Sequence, residues 1–273
     1  MDQKINPGQD LVIVGEIGTY GAEKLLGLYP EEINKRFSTF YLSEEKRKLS
    51  EQKAVMEQWY HAAREARAEK HEAEAESECK AECKAKTELK SEFESKSEAD
   101  PIEFAMPGYR KLYGVTGIRK VEKGGMLKAL WDFCEAAAWD PETGRKKGYG
   151  LGCEFRYDSI PVSQFTMEIC ELFDVLPYRL WSRDCFLMTM EKGDHFCRDF
   201  LEKQLKASKD LADETFAKGS RVGFDSEQHV RTTEPVKAAV FGRITKEKKR
   251  IRVDGTEIGY LTRESYEELE RFI

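Results

Sequence analysis

Two stretches of this chain share one order: a short β-branched apolar run, a pair of glycines, then a helical pattern. The more pronounced is Gly114–Leu130, GVTGIRKVEKGGMLKAL, in which Val115, Thr116 and Ile118 lead to Gly124 and Gly125 and an amphipathic segment starts at Met126. The other, Asp10–Ile17 (DLVIVGEI), runs into Gly18 and Gly21 and then AEKLL. Such an order predicts strand, tight turn and helix start. β-branched side chains suit a pleated surface, glycine supplies φ angles that other residues resist, and helical spacing gives one apolar face. A chain that carries this order twice is expected to pack helices on a sheet.

The glycine pair admits two readings. A helix start offers free N–H groups and the positive end of the helix dipole, and glycine lets a ligand approach the backbone, so an anion such as phosphate can bind there. The same two glycines can also do no more than turn the chain. Arg119, Lys120 and Lys123 stand beside them in sequence. The candidate ligand site is therefore Gly124 and Gly125 with Arg119, Lys120 and Lys123 around it, and no residue is assigned a catalytic or metal-binding role.

A length of 273 residues allows a sizeable core and leaves one or two domains open. The net charge of −6 lacks the basic surface that nucleic-acid binding requires. No apolar run approaches the roughly 20 residues of a membrane helix, and MDQKINPGQD lacks the apolar core of a signal peptide. Seven cysteines without framework spacing fit reduced thiols. These features describe an acidic, soluble, cytoplasmic protein with neither nucleic acid nor membrane as partner.

Composition changes abruptly between Ser43 and Asp100. Four of the six net negative charges fall there, and beyond His61 the segment is almost wholly Ala, Glu, Lys and Ser. Val55, Met56, Trp59 and Tyr60 form an apolar stripe only near its start. We therefore expect a helix over Glu44–Tyr60 docked on the core, and a protruding charged insertion over His61–Asp100 that the fold can do without. Cys79 and Cys83 share a helical face with His71 two turns earlier, but a structural zinc needs a fourth ligand, and none is at hand.

Further along, Met126–Ala138 places Leu127, Leu130, Trp131 and Cys134 on one helical face. Strands are expected at Cys153–Ser159, Cys185–Met190 and Ala238–Phe241, and helices at IPVSQFTMEICELFDV and Asp194–Ala212. Arg250–Val253 and Glu257–Leu261 flank Asp254–Gly255 as a hairpin, and Arg263–Phe272 reads as a closing helix. His195 and His229 lie in helix or loop contexts and read as surface or packing residues. The class expected is α+β, with helices on one face of a mixed, mostly antiparallel sheet and a long charged helical insertion.

Four stretches in this order resemble the C-terminal domain of the aminoimidazole ribonucleotide (AIR) synthase, or PurM, superfamily. The branch they are nearest to is that of the HypE-like hydrogenase maturation factors and AIR synthase-related proteins. DLVIVGEIGTYGAEKLL resembles the opening strand and its G-x-x-G helix start, and GVTGIRKVEKGGMLKALWDFCEAA resembles "GVTAMHDVTEGGxxGALWE". IPVSQFTMEICELFDVLPYRLWSRDCFLM resembles "IPVRxETxEICExFxLdPYxLxSSGSML", and KAAVFGRIT resembles the closing "AAVIGRVT". The glycine-rich segment is the diagnostic one of the four. The resemblance divides the chain into residues 1–42 as the first part of that domain, 43–105 as helix and charged insertion, and 106–273 as its remainder.

The resemblance implies a two-domain enzyme in which an N-terminal domain holds ATP and metal, while the C-terminal domain completes the cleft and offers its glycine turn to phosphate. Gly124 and Gly125 would face phosphate, and Gly18 and Gly21 would be structural. Met1 stands almost at the start of the C-terminal domain, so we expect the ATP domain to be absent from this chain. Where the family has His-Asp before the glycines, this chain has Arg119–Lys120; where it has Ser-Ser-Gly, this chain has Ser182–Arg183–Asp184. The end, ERFI, lacks the maturation factor's terminal cysteine. Three readings follow: a catalytically incomplete domain that binds a phosphate-bearing ligand or serves as an assembly subunit, half of a split ATP-dependent enzyme, or an interaction platform with a charged helical arm. ATP and Mg would enter only with a partner ATP domain, and a homodimer is the other partner expected.

Overall fold

The computed structural model describes residues 5–81, 100–139, 145–146, 148–218, 234–262 and 268–273, with the side chains of 66–81 and 211–218 outside that description. His229 and the Cys79–Cys83 pair therefore lie outside what is described. The strands are β1 (Asp10–Val14), β2 (Gly117–Lys120), β3 (Gly152–Phe155), β4 (Phe186–Met190), β5 (Ala238–Thr245), β6 (Arg250–Asp254) and β7 (Glu257–Tyr260). They form one sheet in the order β2-β4-β1-β5-β3-β6-β7. Every pairing is antiparallel except β3 with β6.

The helices are α1 (Thr19–Leu28), α2 (Pro30–Arg36), α3 (Thr39–Ala81), α4 (Pro101–Ala105), α5 (Tyr109–Tyr113), α6 (Gly125–Ala136), α7 (Gln164–Phe173) and α8 (Gly193–Lys218). The class is α+β as expected, but the helices cover both faces of the sheet rather than one. On one face, Leu11 and Ile13 of β1 pack with Met126, Leu130 and Phe133 of α6. On the other, Val12 and Val14 pack with Met56 and Trp59 of α3, Tyr109 and Tyr113 of α5, and Phe196 and Phe200 of α8. Successive residues of a strand point to opposite faces, so the unbroken apolar run DLVIV is the mark of a strand covered twice.

Local chemistry explains most element ends. β1 stops at Val14 because Gly15 turns the backbone to φ 92. Ser163 starts α7 by accepting the Thr166 N–H, and Asp174 ends it in the left-handed conformation. The β6–β7 turn is Gly255–Thr256 rather than Asp254–Gly255, since Asp254 pairs with Glu257 across the hairpin. Gly255 supplies the positive φ, 58°, that a tight hairpin needs. The described part of the expected closing helix is a single 3-10 turn, Glu268–Arg271.

α3 begins at Thr39, before the change of composition, and docks on two cores. Leu42 joins the cluster of α1 and α7, whereas Met56 and Trp59 join that of α8. Asp100, expected at the end of the protruding insertion, belongs instead to the packed body. Its Oδ1 accepts the N–H groups of Ile102 and Glu103, and its Oδ2 accepts the Tyr109 hydroxyl at 2.7 Å and the Arg110 guanidinium at 2.6 Å. Replacing Asp100 by alanine removes a helix cap and charged hydrogen bonds at once. We expect a loss of about 2–3 kcal/mol, seen in thermal unfolding as a fall of about 4–10 °C.

Candidate functional site

The stretch expected to hold a ligand is built as strand, turn and helix. β2 is an edge strand bonded to β4, and its Gly117 lies against Phe133 of α6, where a Cβ would come within 2.7 Å of the ring. The chain then turns through Val121, whose N–H bonds the Cys185 carbonyl at 2.8 Å, and reaches two glycines in the left-handed region. Gly124 (φ 93) is the N-cap of α6 and offers no side chain to the helix N–H groups. No acidic residue occupies the first turn of α6, so its positive end is not answered from within the helix.

The two glycines have different surroundings. A Cβ on Gly125 would lie 2.5 Å from the Tyr178 carbonyl oxygen and 2.7 Å from the Arg179 Cα. That glycine is required by the backbone of the 3-10 turn Pro177–Arg179, which crosses the start of α6. The atoms nearest to a Cβ on Gly124 would be those of the Lys128 side chain.

The three cations named from sequence do not converge. Arg119 points toward α6 and meets Asp132 at 3.3 Å, whereas Lys120, the next residue along the strand, lies over the Tyr60 ring of α3 on the opposite face. Lys123 reaches Glu270 at 2.6 Å in an exposed pair. Lys128, which the sequence reading missed, bonds Asp132 at 2.7 Å while its chain covers Gly124. It stands in the first turn of α6, four residues after Gly124, so helical spacing was the signal that pointed to it. The cations that border the turn are thus Arg119, Lys123 and Lys128, with Asp132 and Glu270 as their partners.

A second place was not singled out in the sequence. The β1–α1 loop and the turn before β4 are laced together: the Gly18 N–H donates to Ser182 Oγ at 2.8 Å, the Gly21 N–H to the Trp181 carbonyl at 3.0 Å, and the Arg183 N–H to Thr19 Oγ1 at 3.3 Å. Gly15 sits so close to that turn that a Cβ would lie 2.5 Å from the Asp184 carbonyl oxygen. Beside this junction, under α3, is a cavity of about 350 Å³. Buried Glu16 bonds Lys237 Nζ at 2.7 Å there, and Glu23 bonds Arg183 at 2.9 Å. Asp184 takes a φ of 58, a left-handed conformation at the place where the resemblance has a glycine. That mismatch between residue and motif was the available signal.

Burial pushes the Asp184 carboxyl above its ordinary range, Lys120, Arg183 and Lys53 pull it down, and Glu57 pushes it up. Among the described residues no cluster of three His, Cys, Asp or Glu could hold a metal. His195 is exposed on α8. No described helix is long and apolar enough to cross a membrane.

No protein-family model matches the chain, and no curated protein matches it in sequence. Solved structures match it in fold. E. coli HypE, a hydrogenase maturation protein, superposes over 100% of this chain and 55% of its own, with a TM-score of 0.50 and 14% identity. A hydrogenase maturation protein HypE in complex with ATP gives a TM-score of 0.47 at 10% identity, over 100% of this chain and 55% of that one. Thiamine monophosphate kinase from Aquifex aeolicus gives 0.40 at 12% identity, over 94% of this chain and 53% of that one. The chain thus spans about half the length of these proteins. At such identities the likeness is one of fold, and the fold is PurM-like, as the sequence motifs imply.

Two measurements check this geometry. In urea unfolding, Gly124→Ala is expected to cost about 1–2 kcal/mol, the strain of a left-handed alanine, while Gly125→Ala costs more because backbone must also move. The second concerns Asp184, whose neighbours are Lys120, Arg183, Lys53, Glu57, Glu16 and Cys185. With its folded pKa raised, the native state holds the proton more tightly than the unfolded chain, so this group lowers stability as pH rises through its folded value. Asp184→Asn is expected to raise the melting temperature at neutral pH, with the gain shrinking as pH falls from the raised folded value toward the ordinary carboxylate range and levelling off below it.

Proposed function

We propose that this chain is the half of a HypE-like, PurM-fold assembly that does not hold the nucleotide. On its own it is catalytically incomplete, and it presents a phosphate-bearing ligand at the Gly124 turn to a complementary ATP-binding half. That half stands elsewhere on the same polypeptide, on another one, or on a second copy of the assembly, and ATP and Mg belong to it.

The observation that supports this reading best is what the turn contains. It has a helix start with two left-handed glycines, no acidic residue in the first helical turn, and Arg119, Lys123 and Lys128 at its border. Such a place suits an anion. No histidine occurs from Gly117 to Ala136, and the carboxylates that border the turn, Asp132 and Glu270, are held by Arg119, Lys128 and Lys123. Chemistry on a ligand bound there has to come from the complementary half. The fold match spans this whole chain and about half of HypE, as a domain of a larger assembly would.

Two experiments test the reading separately. Purified chain is expected to turn over no ATP, and steady hydrolysis that is lost in Gly124→Ala would show a complete active site. Titration with inorganic phosphate is expected to move the amide signals of Lys123–Leu127 saturably. Reversing the charge in Lys128→Glu should weaken that binding about tenfold, since the site loses one cation and gains an anion beside it. Shifts centred elsewhere, or unchanged by that variant, would leave the glycines as a turn alone.

A further inference from the structure

The cavity between the β1–α1 loop, α3 and the turn before β4 has a lining that the phosphate reading does not use. Its apolar wall is Leu26, Leu49, Met56 and Val236. Most of its charges are already matched: Glu16 with Lys237 at 2.7 Å, Glu23 with Arg183 at 2.9 Å, and Lys53 with Glu57 at 3.8 Å. Among the described residues, the lining charges that make no hydrogen bond and no ion pair through their side chains are one carboxylate, Asp184, and one ammonium, Lys46. Lys46 is exposed, whereas Asp184 is half-buried.

Two features show that Asp184 is not an ordinary surface acid. It holds a left-handed φ of 58, a conformation that costs an L-residue on the order of 1 kcal/mol and that persists where the surrounding structure fixes it. Its backbone is clamped by Gly15 on one side and by Cys185, fully buried, on the other. The residue is thus held in place by main chain at a cavity with one apolar wall, and its carboxylate, though in the field of Lys120, Arg183 and Lys53, makes no ion pair within 4 Å among the described residues.

We propose that this cavity binds a small apolar α-amino acid, its ammonium on the Asp184 carboxylate, its carboxylate toward Lys46, and its side chain against Leu26, Leu49 and Met56. A zwitterion answers one unpaired charge of each sign. A bare anion would have to sit beside Asp184, Glu16 and Glu23, and a bare cation would leave Lys46 unanswered. A volume of about 350 Å³ with mixed apolar and polar lining falls in the range of small-molecule sites. The proposal is one of binding, and it stands independently of phosphate at Gly124.

The test uses the whole chain and three sets of probes, followed by amide NMR. The zwitterions are L-leucine and L-phenylalanine, the amines isoamylamine and phenethylamine, and the acids isocaproate and hydrocinnamate. At least one zwitterion is expected to give saturable shifts at Gly15, Lys46 and Asp184. Its amine counterpart should bind about threefold weaker, as loss of an exposed charge pair implies, and the acid not measurably. Asp184→Gly keeps the backbone conformation and relieves its strain, so it should melt higher than the wild type while binding about thirtyfold weaker or worse. The proposal is overturned if neither zwitterion gives saturable shifts in the cavity, if an acid binds as tightly as its zwitterion, or if Asp184→Gly binds unchanged. Failure of the phosphate titration has no bearing on any of these outcomes.

Discussion

Everything in this fold is hung on β1. Leu11, Val12, Ile13 and Val14 are fully buried, and β1 is hydrogen-bonded along both edges, to β4 and to β5. Because the side-chain period of a strand is two, Leu11 and Ile13 enter one core and Val12 and Val14 the other, and a slip of one residue would exchange every contact. The strand then ends at a glycine with no room for a side chain, pressed against the Asp184 carbonyl. That contact fixes the β1–α1 loop to the turn before β4, and β4 in turn carries β2 and the Gly124 turn. Both candidate sites therefore inherit their geometry from one strand.

Much of this was legible in the chain. Periodicity and turn residues located the strands of the sheet, the start of α6 and the hairpin, because glycine and β-branched residues carry local preferences that tertiary structure did not override. Pairing order was not legible, since the parallel contact of β3 with β6 is decided by packing between distant segments. The short helices α4 and α5 were missed because five residues are too few to show a period. The divergence of Arg119 and Lys120 could have been read, since adjacent residues of a strand face opposite sides. Their charge drew attention to the turn; their alternation should have separated them.

The charged segment shows why composition alone is a poor guide to where packing stops. Ser43 marks the change in residue usage, yet one helix runs through it from Thr39 and fastens two cores with a few apolar side chains. Around those contacts Arg47, with Glu44 and Glu51, and Lys48, with Glu45, form exposed pairs that favour helix and solubility but add little stability. At the far side of the segment a single aspartate, Asp100, returns the chain to the body through five hydrogen bonds from four residues of α4 and α5. Charge was thus used in two ways, and only partner geometry distinguishes them.

The departures from the resembled motifs are not independent of one another. Where those motifs place an aspartate before the glycine pair, this chain has Lys120, and where they place a glycine before β4, it has Asp184. Lys120 pairs in register with Phe186, so it stands two residues along the ladder from Asp184, and among nearby charges it does most to pull the Asp184 carboxyl down. A lone aspartate in a left-handed, half-buried position would be costly twice, in strain and in desolvation. The field of Lys120 offsets part of the second cost without forming an ion pair, so the carboxylate stays open toward the cavity beneath α3. The two positions at which the chain differs most from those motifs are thus coupled electrostatically across one ladder.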